Sequence, residues 1–293
     1  MGANTYEGER FIELPDGRVW VNVVGSGSGV PLLLLHGGPG GGHDYLEPLG
    51  ALADDRPVIF YDQLGCGLSD RPGDPALWRM DRFVEELATV RQSLGLTRFH
   101  LYGHSWGGWL AIEYLLRHPR GVASAVLAST SASIAEFVAG TRRLRSLLAN
   151  DVQETLDGFE ARGDYTAPDY EAAVGVFYDN FLYRRQPYAP SLLRSLANLD
   201  GNQVYATMNG PNEFVVTGNL AAWDRTPRLG EIATPVLLTR GRYDEFEVRC
   251  TDTLAAGLPH AERVEFADSA HFAMLEEEEA YVAALRSFLR RND

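Results

Sequence analysis

The sequence predicts an α/β fold: a mostly parallel, doubly wound sheet with a helical cap inserted into it. Short continuous apolar runs, each closed by Gly or polar residues, are typical of strands that are buried on both faces. Amphipathic helical patterns lie between these runs, and one long helical or irregular stretch interrupts the alternation before strand signals return. The chain has 293 residues, which is enough for one large core and a smaller appended unit.

The strand signals begin with a hairpin, in which residues 10–14 and 19–24 flank the turn signal Pro15-Asp16-Gly17. Four continuous apolar runs then predict buried strands, at residues 31–35, 57–61, 99–102 and 122–128. The strand signal returns at residues 235–238 and 263–266.

The helical patterns alternate with these strands. Residues 80–94 and 107–117 carry apolar side chains close to helical spacing, and an amphipathic helix over residues 277–290 closes the chain. The alternation of strand and helix signals predicts parallel strands with helical crossovers.

The interruption defines the predicted domain organisation. Residues 1–131 and 232–293 are expected to form the sheet core, and residues 132–231, here called the cap segment, an inserted helical cap. Such a cap covers the carboxyl ends of the strands, where ligands bind in folds of this type.

Composition and charge exclude several classes of partner. The formal net charge is −14, and a surface this acidic repels phosphate backbones and anionic lipid heads, so we expect neither nucleic-acid nor membrane partners. Residues 1–10 are polar and lack the apolar region of a signal peptide. The two cysteines, Cys66 and Cys250, are interpreted as reduced thiols, which favours a cytoplasmic location.

A candidate nucleophile lies in Gly103-His104-Ser105-Trp106-Gly107, which fits the pattern G-x-S-x-G. The pattern follows a predicted strand and opens a predicted helix, which is the strand–turn–helix elbow of α/β-hydrolases. The flanking glycines permit a strained turn that holds the hydroxyl outward at the start of the helix. We therefore expect Ser105 to be the nucleophile.

A serine nucleophile needs a base and an orienting carboxylate, which in this fold follow in the order Ser, acid, His. Of the two histidines near the last strand, His271 follows its carboxyl end, whereas His260 precedes the strand. The base is therefore predicted to be His271. Asp244 and Glu245 follow the preceding strand, and we favour Asp244 as the orienting acid because it is shorter and comes first.

An oxyanion hole needs two backbone N–H groups. One is expected from Trp106, directly after the nucleophile. The other is expected from Gly37 in the glycine-rich loop after the first parallel strand, with Gly38 as the alternative. This loop lacks the Lys and the spacing of a phosphate-binding P-loop. No His, Cys or Asp cluster has metal-ligand spacing, so neither a metal nor a cofactor is predicted.

Three motifs together resemble the proline iminopeptidase family of α/β-hydrolases. They are His-Gly-Gly-Pro-Gly at residues 36–40, Asp-Gln-Leu-Gly-Cys-Gly-Leu-Ser at 62–69, and Gly-His-Ser-Trp-Gly-Gly at 103–108. Asn-Gly-Pro-Asn-Glu-Phe at 209–214, followed by Thr-Gly-Asn-Leu at 217–220, is similar to the broader-specificity members, such as the archaeal tricorn-interacting aminopeptidase.

The resemblance implies removal of a single residue from a peptide N-terminus, without metal or cofactor. It also implies that two glutamates bind the free α-ammonium of the substrate, and by motif position these are Glu213 and Glu245. Such a role would account for the second acid beside Asp244.

The chain departs from the family pattern at two positions. Many proline-specific members have Gly where this chain has His104, and Arg where it has Leu64. Either change can alter the pocket, so the resemblance does not extend to strict proline specificity. His104 is expected to pack beside the site rather than act as the base. Three aromatic residues can either line the pocket or belong to a small core of the cap. They are Tyr205, Trp106 and Trp223.

The leading hypothesis is a serine aminopeptidase that releases N-terminal proline or other small or apolar residues from short peptides through an acyl-enzyme. An amidase or esterase acting on amino-acid amides or esters would use the same residues. A non-catalytic ligand-binding protein on the same fold is the remaining alternative, against which the intact Ser, His and Asp set argues. The preferred residue and the oligomeric state are left open.

Overall fold

The computed structural model of the chain describes residues 7–118 and 120–293. Residues 1–6, which include most of the polar N-terminal stretch, and Pro119 lie outside the described residues. Eight strands form one sheet in the order β1-β2-β4-β3-β5-β6-β7-β8. The strands are β1 (Gly8–Leu14), β2 (Gly17–Val24), β3 (Leu32–Leu35), β4 (Val58–Tyr61), β5 (Phe99–His104), β6 (Val122–Ala128), β7 (Val236–Gly241) and β8 (Ala261–Phe266).

The sheet is antiparallel at one edge and parallel elsewhere. β1 and β2 form the predicted hairpin, and β2 also runs antiparallel to β4. From β4 through β3, β5, β6 and β7 to β8 all pairs are parallel. The predicted α/β fold is therefore confirmed, and the carboxyl ends of the six adjacent parallel strands meet at one edge of the sheet.

The continuous apolar runs are explained by two hydrophobic layers. Leu33 and Leu35 of β3 point into the layer that contains Phe83 and Leu110, whereas Leu32 and Leu34 point into the opposite layer. Because both faces of the strand are buried, no polar alternation appears in its sequence.

Ten α-helices are found among the described residues. They are α1 (Met80–Ser93), α2 (Trp106–Arg117), α3 (Ile134–Arg145), α4 (Asn150–Glu160), α5 (Pro168–Phe181), α6 (Pro190–Ala197), α7 (Gln203–Met208), α8 (Val248–Gly257), α9 (Ala273–Glu276) and α10 (Glu278–Arg291). A 3₁₀ helix covers Asp44–Asp54. Within the described part of the chain, no helix has the length and apolarity needed to cross a bilayer.

Helices α3 to α7 lie within the cap segment. α4 and α5 pack around a cluster of their own that contains Leu156 and Phe177. α3 instead contributes Ile134 and Phe137 to the core of the sheet. The boundary between core and cap at residues 131 and 132 therefore stays a prediction.

Candidate active site

Ser105 occupies a sharp turn between β5 and α2. Its backbone has φ 56° and ψ −122°, and a positive φ is strained for a residue that carries a side chain. The flanking glycines make the turn possible. A Cβ atom on Gly103 would collide with the carbonyl of Gly107, and a Cβ atom on Gly107 would collide with the carbonyl of Leu35. The turn therefore presents the serine at the N-terminus of α2.

The side chains of His271 and Asp244 meet at the carboxyl ends of β8 and β7. Nδ1 of His271 lies 2.9 Å from Oδ1 of Asp244, and the N–H of Phe246 donates to the same oxygen at 3.0 Å. Burial raises the pKa of Asp244, but His271, the hydrogen bond with Ser129 and the charge of Arg240 together hold that pKa below its usual range. An ionised Asp244 accepts from Nδ1–H, which leaves the lone pair of the histidine on Nε2.

Two further contacts orient His271. Its backbone N–H donates to the carbonyl of Leu182 in the cap segment at 3.1 Å. Its ring stacks on Phe246 with the centroids 5.4 Å apart and an interplanar angle of 15°. His260, the histidine that the sequence analysis set aside, lies at the opposite end of β8 and is exposed.

Ser105 and His271 line one cavity of about 740 Å³ between the strand ends and the cap segment. Gly37 and Gly38 contribute the loop after β3 to the same cavity. The structure thus brings together the predicted nucleophile, the predicted base and the glycine-rich loop, while Asp244 lies behind His271.

The two candidate donors of the glycine-rich loop differ. The N–H of Gly37 already donates to the hydroxyl of Tyr45 at 2.7 Å, so the predicted role of Gly37 in the oxyanion hole needs correction. Gly38 lines the cavity with φ +120°, and its N–H has no partner among the described residues. The N–H of Trp106 lies in the first turn of α2, where the helix provides no acceptor.

An acidic pair faces the same cavity. Glu245 is buried and Glu213 is partly buried; Oε1 of Glu245 lies 3.8 Å from Nε2 of His271. The hydroxyl of Tyr205 donates to Oε1 of Glu213 at 2.7 Å. Oε2 of Glu245 is buried without a hydrogen-bond partner among the described residues. A buried carboxylate oxygen without a donor is costly and indicates a missing partner.

The two glutamates disfavour each other's ionisation. Burial raises the pKa of Glu213. Burial, together with the charges of Glu213 and Asp244, raises the pKa of Glu245 well above its usual range. Of the described residues that line the cavity, none is Lys or Arg. A cation bound between the two carboxylates would offset both their repulsion and the cost of their burial.

The three aromatic candidates differ in whether they line the cavity. Tyr205 lines the cavity, whereas Trp106 and Trp223 are absent from its described lining. The indole N–H of Trp106 donates to Gln63 at 2.8 Å, and that of Trp223 donates to Glu113 at 2.9 Å. Both tryptophans belong to the core of the sheet.

The two residues that depart from the family pattern lie in different places. Leu64 is buried in the sheet core, and its backbone N–H donates to Glu86 at 3.1 Å, whereas His104 lines the cavity. Tyr45 was missed by the sequence analysis although it lines the cavity as well. No local pattern marks Tyr45, because its contacts are made with residues that are distant in the sequence.

One group outside this cavity has the geometry of a possible metal site. Ligand atoms of His43, Asp44 and Glu47 lie within 4.8 Å of one another. Arg194 donates to both carboxylates, and Nδ1 of His43 is bonded to Asp62 at 3.0 Å. Each of the three side chains in this group is thus already hydrogen-bonded within the protein.

Comparison with known proteins agrees with this geometry. A family model described as alpha/beta hydrolase fold matches residues 30–278. A proline iminopeptidase of Heyndrickxia coagulans is 42% identical, over 96% of this chain and 98% of the relative. The crystal structure of a proline iminopeptidase of Mycobacterium smegmatis superposes with a TM-score of 0.91 at 34% identity, covering 97% of this chain and 98% of that one. The crystal structure of VinJ superposes with a TM-score of 0.94 at 32% identity, covering 98% and 99%. The resemblance seen in the sequence is therefore confirmed, and the chain belongs to the proline iminopeptidase family of α/β-hydrolases.

Proposed function

We propose that this chain is a serine aminopeptidase that releases N-terminal proline, or another small or apolar residue, from short peptides. One observation carries the proposal: Glu213 and Glu245 face the cavity that Ser105 and His271 also line. Nucleophilic chemistry and cation recognition are thereby combined at a single site. The names of the relatives, which are proline iminopeptidases, agree with this combination.

Acylation begins when Oγ of Ser105 attacks the carbonyl carbon of the first residue. Nε2 of His271 takes the hydroxyl proton, while Asp244 stabilises the resulting imidazolium. The imidazolium then donates this proton to the nitrogen of the leaving amine as the peptide C–N bond breaks. Water repeats the two proton transfers on the acyl-enzyme and releases the free amino acid.

The negative charge that develops on the carbonyl oxygen needs two donors. We assign these to the backbone N–H groups of Trp106 and Gly38. Gly37 is not assigned this role because its N–H donates to Tyr45. Removing one such donor costs roughly 100- to 1,000-fold in kcat in other serine hydrolases.

The acidic pair recognises the free N-terminus. A substrate ammonium between Glu213 and Glu245 offsets their mutual repulsion and supplies a donor to the unpartnered oxygen of Glu245. An N-terminal proline carries two N–H donors on its ring nitrogen, so its donors match two carboxylates in number. Anchoring the ammonium also holds the carbonyl group of the same residue over Ser105, which restricts cleavage to the first peptide bond.

The wall of the cavity fits an apolar side chain. Tyr178, Leu182, Leu192 and Phe272 line it. These side chains would contact the pyrrolidine ring of proline or a small aliphatic side chain. We propose short peptides with a free N-terminus as substrates and a cytoplasmic location, in keeping with the buried free thiols of Cys66 and Cys250.

An amidase or esterase acting on amino-acid amides or esters would use the same residues, and a substrate panel distinguishes these activities. The panel contains prolyl, alanyl and leucyl anilides, their N-acetyl forms, the matching esters and an X-Gly dipeptide series. We expect free-amine anilides and dipeptides to be cleaved and N-acetyl forms to be poor substrates. Equal rates on free and acetylated substrates would contradict the proposal. Turnover of esters alone would favour the esterase.

A further inference from the structure

A chain of buried hydrogen bonds connects the glycine-rich loop after β3, here called the oxyanion loop, to the loop after β8 that carries His271, here called the His271 loop. The N–H of Gly37 lies 2.7 Å from the hydroxyl oxygen of Tyr45, and that oxygen lies 2.9 Å from Nδ1 of His104. Nε2 of His104 lies 2.9 Å from the carbonyl oxygen of His271. The oxyanion loop, the turn at Ser105 and the His271 loop thus meet through the side chains of Tyr45 and His104, here called the Tyr45–His104 bridge.

The direction of every hydrogen bond in this bridge follows from the groups at its two ends, a carbonyl that can only accept and an N–H that can only donate. The carbonyl of His271 can only accept, so Nε2 of His104 carries a hydrogen. Burial and the neighbouring His271 hold the pKa of His104 well below its usual range, so the ring is neutral and Nδ1 is an acceptor. The hydroxyl of Tyr45 therefore donates to Nδ1, and its oxygen accepts from the N–H of Gly37.

The rings themselves are held by packing. The ring of His104 packs against Phe272 at 5.3 Å and against Tyr45 at 5.1 Å between centroids. Tyr45 also packs edge-on against Phe272 at 5.0 Å. Because His104 directly precedes Ser105, the middle of the bridge is fixed to the turn that carries the nucleophile.

We propose that Tyr45 and His104 are positioning residues, which hold the oxyanion loop and the His271 loop at fixed places relative to Ser105. This inference rests on the serine-hydrolase chemistry proposed above. In that chemistry the donor loop and the base must both be aligned with one tetrahedral centre. Without the bridge the Gly37 amide loses its acceptor, and the adjacent Gly38 donor is no longer held in place.

The test uses Tyr45→Phe, His104→Gln and the double variant. Gln can still donate to the carbonyl of His271 but offers no acceptor at the position of Nδ1. We expect each single variant to lose about 10- to 100-fold in kcat on a prolyl anilide, with KM changed by less than about two-fold. The double variant should lose little more than Tyr45→Phe alone, because both changes break the same hydrogen bond.

Tyr281→Phe is the matched control. It also removes a buried hydroxyl with two hydrogen bonds, to Tyr102 at 2.8 Å and to Thr239 at 3.0 Å, but it does not line the cavity. We expect its thermal unfolding midpoint to fall about as much as that of Tyr45→Phe while its kcat stays at the wild-type value.

The outcomes are distinct. Wild-type kcat in Tyr45→Phe, fully additive losses in the double variant, or an equal loss of kcat in Tyr281→Phe would each overturn the bridge. If Tyr45→Phe does not fold, His104→Asn takes its place. Asn retains an acceptor near the position of Nδ1 but loses the hydrogen bond to the carbonyl of His271, and we expect the same loss of kcat. All variants are also assayed on p-nitrophenyl acetate. If the wild type cleaves this ester but not the anilide, the aminopeptidase proposal fails, and a kcat loss on the ester still supports the bridge.

Discussion

The carboxylate of Glu245 lies 3.8 Å from Nε2 of His271, the ring nitrogen that does not face Asp244. Adjacent acids in the sequence therefore lie near opposite sides of one imidazole. Burial and the charges of Glu213 and Asp244 raise the pKa of Glu245 well above its usual range, so its ionised form needs a cation beside it. A substrate ammonium that pairs with Glu245 is thereby placed next to Nε2 of His271.

Replacement of the nucleophile tests the mechanism. Ser105→Ala should lower kcat by on the order of 10⁴-fold or more, because the proposed acyl-enzyme can no longer form. Circular dichroism and the unfolding midpoint should match the wild type, since Ala fits the same turn. A folded variant that keeps a tenth of the wild-type rate would rule out the serine mechanism.

Replacement of the acidic pair tests recognition of the free amine. Glu245→Gln and Glu213→Gln should each lower kcat/KM for free-amine anilides by roughly 30-fold to several thousand-fold, which corresponds to a loss of roughly 2–5 kcal/mol. N-acetyl substrates, which lack the cation, should be much less affected. Glu47→Gln serves as the control, because Glu47 is a partly exposed glutamate outside the described lining of the cavity. Equal losses on free and acetylated substrates would indicate general damage to the site.

The pKa of Glu245 predicts how stability depends on pH. Because this pKa is raised well above the ordinary value of 4.5, the folded chain keeps a proton that the unfolded chain loses. The free energy of unfolding should therefore fall as pH rises from about 4.5 through the folded pKa, by up to about 1.4 kcal/mol per pH unit. Glu245→Gln should flatten this slope in urea unfolding measured from pH 4.5 to 8. A slope that is unchanged in the variant would show that another group controls it.

Chelators should leave activity unchanged, because the proposed chemistry uses only side chains and backbone N–H groups of this chain. The measurement is prolyl anilide turnover after dialysis against EDTA. Loss of activity that added zinc restores would contradict the proposal and direct attention to the group formed by His43, Asp44 and Glu47.

The cap segment should control which residue is released. Leu196 of α6 lines the cavity, so Leu196→Ala should enlarge it and raise the kcat/KM ratio of leucyl to prolyl anilide by roughly 10-fold. The control is Leu193→Ala on the same helix, because Leu193 is 52% exposed and is not part of the described lining. Both variants should hydrolyse p-nitrophenyl acetate at the wild-type rate. An equal change of specificity in both would show that α6 acts through stability rather than through contact with the substrate.

The sequence by itself determined the fold and the family. Strands that are buried on both faces require continuous apolar runs, and the sharp turn at Ser105 requires glycines on either side; both requirements are local and can be read along the chain. The order of nucleophile, acid and histidine then followed from the connectivity of the sheet. These signals predicted Ser105, Asp244 and His271 as a set, and the structure brings Asp244 and His271 into hydrogen-bond contact.

Only the tertiary structure decided which groups are free to act. The hydroxyl of Tyr45 accepts a hydrogen bond from the N–H of Gly37. The indole N–H groups of Trp106 and Trp223 donate to Gln63 and Glu113, which are not part of the described lining of the cavity. Each of these bonds joins residues whose proximity depends on how the loops and helices pack, and packing leaves no periodic or spacing signal in the sequence. The same reason hides the Tyr45–His104 bridge, because a hydrogen-bond direction can be assigned only once both partners are in place.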